Sequence, residues 1–306
     1  MDHLRHRTGG SCRRRLLAAG AVTLAGILAS ACAAQKAASE PNASRAAYDR
    51  LAGHGASHTA VPVGHSGGTR SALPPGQRHV NRAKPLAGKI VGIDPGHNGR
   101  NGTDPAYLAH QVFNGRTMEN CNTTGTQTAA GYTESLFNWN VSRYLTADLR
   151  KDGAKVVLTR PNNHGIGPCV DKRSTMLNHT DVAIDIHADG GPAWGRGFTV
   201  LEPVADGPNN KIIGSSIRFG HYVDKALLAG SPMRVSNYYG RGGYIFRSDL
   251  AGLNLTTVPK VLIECGNMPN RADAALLTAP RVQRQIARAL EAAIIRFLTG
   301  RWPHRK

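Results

Sequence analysis

Four short runs of this 306-residue chain are almost continuously apolar and rich in β-branched side chains: Lys89 to Asp94, Ala154 to Thr159, Asp181 to Ile186 and Lys260 to Ile263. Each stops at polar or turn residues, the pattern of strands covered on both faces. Between them the period changes. From Glu134 to Asp152 the apolar residues Phe137, Val141, Tyr144, Leu145 and Leu149 recur every three or four positions, which predicts a helix stopped by Gly153. The same spacing predicts helices over Asn210 to Leu228 and Arg281 to Leu298, with Val282, Ile286, Leu290, Ala293 and Phe297 along one face of the second. Strands alternating with helices imply an α/β fold: a single domain over residues 86–300, with a central, mostly parallel or mixed sheet flanked by helices on both faces. There is no internal repeat.

The first 85 residues lack such periodicity. Residues 1–34 have a basic start (Arg5, Arg7, Arg13, Arg14, Arg15), an apolar stretch from Leu16 to Leu28 and a small-residue end, the three regions of an export signal. Arg13-Arg14-Arg15-Leu16-Leu17 resembles a twin-arginine signal. Leu28-Ala29-Ser30-Ala31-Cys32 resembles a lipobox with its large residue one place early, which makes Cys32 a candidate for lipidation and membrane anchoring. Cleavage by a small-x-small peptidase would instead leave Cys32 incidental. Residues 35–85 are rich in Ala, Ser, Gly, His and Pro; they offer too little apolar surface to offset the entropy of ordering and are expected to form a tether. The scattered His54, His58, His65 and His79 are read as solvated.

The net charge of +18 divides equally between residues 1–88 and 89–306. A basic exported protein is drawn to anionic lipid and to wall polyanions. No helix-turn-helix, zinc-finger spacing or basic stripe interleaved with aromatics occurs, so no nucleic-acid partner is expected. Of five cysteines, Cys12 and Cys32 fall in the signal, leaving Cys121, Cys169 and Cys265; Cys265 follows an apolar strand and reads as a buried thiol.

The candidate chemistry lies where the strands end. In an open α/β sheet, ligands collect beyond the carboxyl ends of strands. His97 follows the first run after Asp94-Pro95-Gly96, His187 ends the third beside Asp185 and Asp189, and Glu264 follows Val261-Leu262-Ile263; Glu134 opens the first long helix. Each has a plain explanation alone: a loop histidine, or a carboxylate favoured by the helix dipole. Together, two imidazoles and a carboxylate make a zinc site with an open position, beside which a second carboxylate can handle protons. Glu264 is the harder one to dismiss, because an ionised group at the end of an apolar strand is costly unless paired, coordinated or poised for proton transfer.

The motifs Ile93-Asp94-Pro95-Gly96-His97-Asn98-Gly99, Tyr132-Thr133-Glu134, Ile184-Asp185-Ile186-His187-Ala188-Asp189, Gly195-Arg196-Gly197-Phe198 and Leu262-Ile263-Glu264-Cys265-Gly266-Asn267 through Asn270 occur in one order. In that order they resemble the zinc-dependent N-acetylmuramoyl-L-alanine amidases of the type 3 class, and their actinobacterial branch in particular. The resemblance spans Lys89 to Leu298. It implies one Zn2+ per chain held by His97, Glu134 and His187, with Glu264 as catalytic acid and base. It also implies peptidoglycan or muropeptide as substrate, cut between N-acetylmuramic acid and the first L-alanine of the stem peptide. The sequence departs from the pattern at Cys265, commonly Leu or Ala, and at Asn267, where many members carry Phe, so the pocket floor is expected to differ.

The resemblance further implies a Cys121–Cys169 disulfide, since the actinobacterial branch has one at matching positions. The connection from Asn98 to Thr133 is long enough to predict a flap over the crevice, which that bridge would pin near a helix over Val170 to Asn178. Arg173, Arg196 and Asn270 are expected to meet substrate, because stem peptides carry carboxylates and these residues lie in or near the motifs. A monomer is expected, exported to the periplasm or cell wall. Two rivals are a non-catalytic peptidoglycan binder, which would not need all four residues, and a zinc carboxypeptidase, which the metal set alone allows.

Overall fold

The computed structural model describes residues 84–303. The export signal, the tether up to residue 83 and Cys32 lie outside the described residues. In chain order, β1 (Ile90–Pro95) leads through a 3-10 turn and α1 (Pro105–Ala109) into a hairpin of β2 (Gln111–Phe113) and β3 (Met118–Asn120). Then come α2 (Glu134–Lys151), β4 (Lys155–Leu158), α3 (Val170–Met176), β5 (Val182–Asp189) and β6 (Thr199–Pro203). The rest comprises α4 (Ile213–Gly230), β7 (Tyr244–Arg247), α5 (Ala251–Asn254), β8 (Lys260–Asn267), α6 (Arg271–Leu277) and α7 (Pro280–Thr299).

Six strands form one sheet in the order β4-β1-β5-β8-β6-β7. The first four run parallel; β6 is antiparallel to β8, and β7 is parallel to β6. The sheet is therefore mixed and mostly parallel, as the alternation of elements implies. β4 differs from expectation. It forms an edge with Lys155 exposed and the rest half-buried, so it is not covered on both faces.

The long helices α2, α4 and α7 pack on one face, where Phe137, Val141, Leu145, Val223 and Ile286 meet Val91, Ile93, Ile184, Ile186, Val261 and Ile263. The short α3 and α5 cover the other, with Leu177, Ala183 and Val258 in one small cluster and Leu201, Leu253 and Leu262 in another. Helix ends follow local chemistry. Gly153 follows α2 at φ +97°, and α7 starts at Pro280 and ends at Gly300 in the left-handed region at φ +72°. Among the described residues no helix is long and apolar enough to cross a membrane.

The topology sets up the site. β1, β5 and β8 are adjacent and parallel, so their carboxyl ends open on the same edge. His187 and Glu264 are register partners on β5 and β8, and the register shifts between His187 and Asp189, a bulge of the kind that re-aims side chains next to a site.

Candidate metal centre

His97 lies just beyond β1 in the left-handed region, at φ +56°, the single non-glycine residue with positive φ among those described. That conformation is rare for a side chain with a Cβ and marks a position held by its surroundings. Gly96 before it has a steric reason: a Cβ there would fall 2.3 Å from the His187 ring, so only glycine lets the two imidazoles approach, with centroids 4.9 Å apart.

Glu134, at the first position of α2 and buried, stands between them. Its Oε2 lies 3.1 Å from His97 Nε2 and its Oε1 lies 2.8 Å from His187 Nδ1. One ligand atom from each residue falls within 4.8 Å of the others. Burial alone would raise the Glu134 pKa, but the imidazoles of His97 and His187 hold it well below the ordinary carboxylate value. Its oxygens also accept from the backbone of Thr126 (3.0 Å) and Ala188 (3.3 Å) and from Asn138 Nδ2 (3.3 Å). His97 turns Nδ1 toward the Thr123 carbonyl at 3.1 Å, a contact that favours a proton on Nδ1 and turns Nε2 toward Glu134 and the other ligand atoms. Two imidazoles and a carboxylate at this spacing fit zinc with a position left open.

Glu264 is set beside this group by β8. Its Oε2 is buried without a hydrogen-bond partner among the described residues. Burial, reinforced by the carboxylates of Asp189 and Glu134, pushes its pKa well above the ordinary value. Cys265 next to it is a buried free thiol, as expected.

The other anticipated residues take different places. Arg173 is 2% exposed. Its Nη1 donates to Asp94 Oδ1 (2.5 Å) and the Pro95 carbonyl (3.0 Å), its Nη2 to the His97 carbonyl (2.9 Å) and Asn98 Oδ1 (2.7 Å), and its Nε to the Pro168 carbonyl (2.9 Å). With every nitrogen engaged, it holds the His97 turn from below rather than facing the crevice. Burial would raise the Asp94 pKa, but Arg173 and Lys260 bring it down to about 2. Arg196 is half-buried with Nε 3.3 Å from Asp273 Oδ1. Asn270 caps α6, its Oδ1 accepting from the amides of Ala272 and Asp273 while its Nδ2 donates to the Ala193 carbonyl at 2.8 Å.

Sequence reasoning missed Arg160, which is buried and donates through Nε to Pro95 O (2.8 Å) and through Nη2 to Gly96 O (3.3 Å) and Ser135 O (2.8 Å). It joins the His97 turn to the start of α2. The rule that placed His97 and Glu264 would have found it, since Arg160 lies just beyond the end of β4.

Cys121 and Cys169 are joined by a disulfide, with Cα atoms 4.5 Å apart. The bridge ties the segment carrying Thr123 and Thr126 to the start of α3, where Arg173 sits. His110 Nε2 comes within 3.2 Å of Cys169 Sγ, but the bridge occupies both sulfurs and leaves no thiolate pair for a metal. Residues 98–133 are more structured than a plain loop, containing α1 and the β2–β3 hairpin.

Residues 91–296 match the model of a protein family described as N-acetylmuramoyl-L-alanine amidase. The chain is 42% identical over 218 residues to the N-acetylmuramoyl-L-alanine amidase Rv3717 of Mycobacterium tuberculosis, covering 70% of this chain and 88% of the relative. Its fold is similar to the crystal structure of the amidase Ami1 from Mycobacterium smegmatis, with a TM-score of 0.66, 40% identity and coverage of 71% of this chain and 99% of that one. The apo form of Ami1 from Mycobacterium abscessus matches with the same TM-score of 0.66 and 40% identity, over 70% of this chain and 100% of that one.

Proposed function

Because the chain belongs to the N-acetylmuramoyl-L-alanine amidase family and is thereby a peptidoglycan amidase, we propose that it works with one zinc ion held by His97, Glu134 and His187, and with Glu264 moving the proton. The observation that carries this reading is the convergence of three ligand atoms within 4.8 Å, drawn from the turn after β1, from α2 and from β5, beside a buried carboxyl group on β8.

An amide resists hydrolysis because its carbonyl is a poor electrophile and its nitrogen leaves only when protonated. Bound zinc supplies Lewis acidity, polarising the carbonyl and making a water acidic enough to attack near neutral pH. The protein supplies the rest. Glu264 takes the proton of the attacking water and returns it to the departing L-alanine nitrogen, and its raised proton affinity suits a group that must hold that proton in between. Thr123, Arg160 and Arg173 keep His97 aimed, and Thr126, Asn138 and Ala188 keep Glu134 aimed, so the ligands need not reorganise when the metal binds. The segment 98–133 serves as a flap over the crevice, anchored at Cys121 by the disulfide. The enzyme acts outside the cytoplasmic membrane, where its polymer is, with Cys32 as a candidate anchor.

Mass spectrometry of a muropeptide digest tests the bond. Free stem peptides are expected; shortened peptides still attached to sugar would mean a carboxypeptidase, and an unchanged digest a binder. Glu264→Gln should keep one zinc per chain while turnover falls by about two to four orders of magnitude. Near-normal turnover in that variant would remove Glu264 from the mechanism.

A further inference from the structure

Trp194 is 69% exposed, the most exposed of the large apolar side chains among the described residues. The turn that carries it, residues 190–197 between β5 and β6, is held firmly. Asn267 Nδ2 donates to the carbonyls of Pro192 and Gly195, both at 2.7 Å, and Asn270 Nδ2 donates to that of Ala193 at 2.8 Å. The Tyr238 ring lies directly beneath: a Cβ on Gly191 would come 2.2 Å from it and one on Gly195 2.4 Å. Tyr238 in turn donates its hydroxyl to Asp189 at 2.5 Å, and its ring meets that of Trp194 edge to face, with centroids 6.3 Å apart at 77°.

Asn267 is fully buried, and a buried carboxamide is costly unless bonded. Both of its donor bonds go to a surface turn whose one large side chain faces water. An indole held still in solvent gains nothing from burial. The bracing fixes the place of the indole in advance, which lowers the cost of ordering it against a ligand.

We propose that Trp194 is a stacking platform for a neutral pyranose ring of the substrate glycan, a reading that rests on the amidase assignment and extends it. Position is the first argument. The turn leaves β5 just after His187, and Gly190 packs on Thr126, where a Cβ would lie 3.0 Å from that side chain; the Thr126 amide donates to Glu134. The turn thus borders the metal crevice. Charge is the second. Residues 190–195 carry no ionisable group, and the Arg196 guanidinium is engaged with Asp273. The turn is therefore neutral up to Arg196, whose Nε faces a carboxylate, and gives a stem-peptide carboxylate little to pair with beside the indole. A pyranose instead presents a face of polarised C–H groups, which the negative face of an aromatic ring attracts.

The test compares two substrates of the intact protein: a disaccharide-peptide, and a D-lactoyl-peptide that keeps the scissile amide and lacks the sugar. Trp194→Ala should raise KM for the disaccharide-peptide about tenfold with kcat little changed, leave the lactoyl-peptide unaffected, and be partly rescued by Trp194→Phe. Unchanged KM for the disaccharide-peptide, or an equal loss on both substrates, overturns the inference. Should the wild type cleave neither substrate, the amidase reading fails separately. Binding of N-acetylglucosaminyl-N-acetylmuramic acid, followed by NMR at the indole N–H of Trp194, then decides: a saturable shift supports the platform, and no shift removes it.

Discussion

Two turns that leave neighbouring strands are secured in the same manner with opposite chemistry. After β1, the carbonyls of Pro95, Gly96 and His97 accept from the guanidiniums of Arg160 and Arg173. After β5, the carbonyls of Pro192, Ala193 and Gly195 accept from the carboxamides of Asn267 and Asn270. The first clamp is charged and buried with a carboxylate, Asp94, as its counter-ion; the second is neutral and ends at the surface. A histidine proposed to hold a metal from a left-handed bend needs strong, charge-assisted bonds to keep its aim. A turn that presents an apolar face needs only to be held still, and a cation there would compete for solvent and change what it attracts.

The largest expected effect breaks the charged clamp. Arg173→Met leaves Asp94 buried without its main partner and should cost about 3–5 kcal/mol of stability in chemical denaturation. Zinc affinity, read by competition with a chelator, should fall with it. A loss below about 1 kcal/mol would mean that the clamp is no more than an exposed ion pair in effect. The neutral clamp should yield more gently. Asn267→Ala is expected to cost about 1–2 kcal/mol, because the carbonyl of the exposed Pro192 can turn to water while that of the buried Gly195 loses its donor. Hydrogen exchange should quicken across residues 191–196 while zinc affinity stays at the wild-type value; a parallel fall in zinc affinity would merge the two clamps into one unit.

The effect spread most thinly, over several pH units, concerns β6, the strand that the neutral turn feeds. Glu202 is fully buried there, neither oxygen has a hydrogen-bond partner among the described residues, and burial raises its pKa to about 8. In the unfolded chain it titrates near the usual value of about 4.3, so between there and about 8 the folded state binds a proton that the unfolded state has lost. Stability should therefore decline as pH rises through that window, by at most about 1.4 kcal/mol per pH unit, and level off above it. Glu202→Gln should flatten the decline in melting curves taken from pH 5 to 8. An equal slope in both proteins would place the titration elsewhere.

Much of this was legible in the residue order, for reasons that differ by element. β1, β5 and β8 are buried in the middle of the sheet, so their apolar runs are nearly unbroken, and the residues at their ends mark the crevice. Glu134 follows from helical spacing that begins where α2 begins. β6 and β7 escape notice because one hides Glu202 in its interior and the other spans four half-buried residues, Tyr244–Arg247. The hairpin strands are three residues each, too short for alternation to register. Arg173 and Asn270 stand near the motifs as polar residues that recognise substrate often do, yet their partners lie within the fold: backbone carbonyls and amides and, for Arg173, the side chains of Asp94 and Asn98. Only folding reveals which oxygen a guanidinium or carboxamide meets. Asn267, marked by sequence as a departure, proves to be the fastener of the Trp194 turn.

The two rims of the sheet bear on how copies of the chain meet one another. β4 and β7 are each four residues long, one opening with the exposed Lys155 and the other closing with Arg247, paired to Asp249 at 2.5 Å. A strand approaching from a second copy would find few free amides and carbonyls to zip onto, and a charge at each place it tried. Growth of the sheet from either rim is thereby discouraged, and its extent ends at the six strands of one chain.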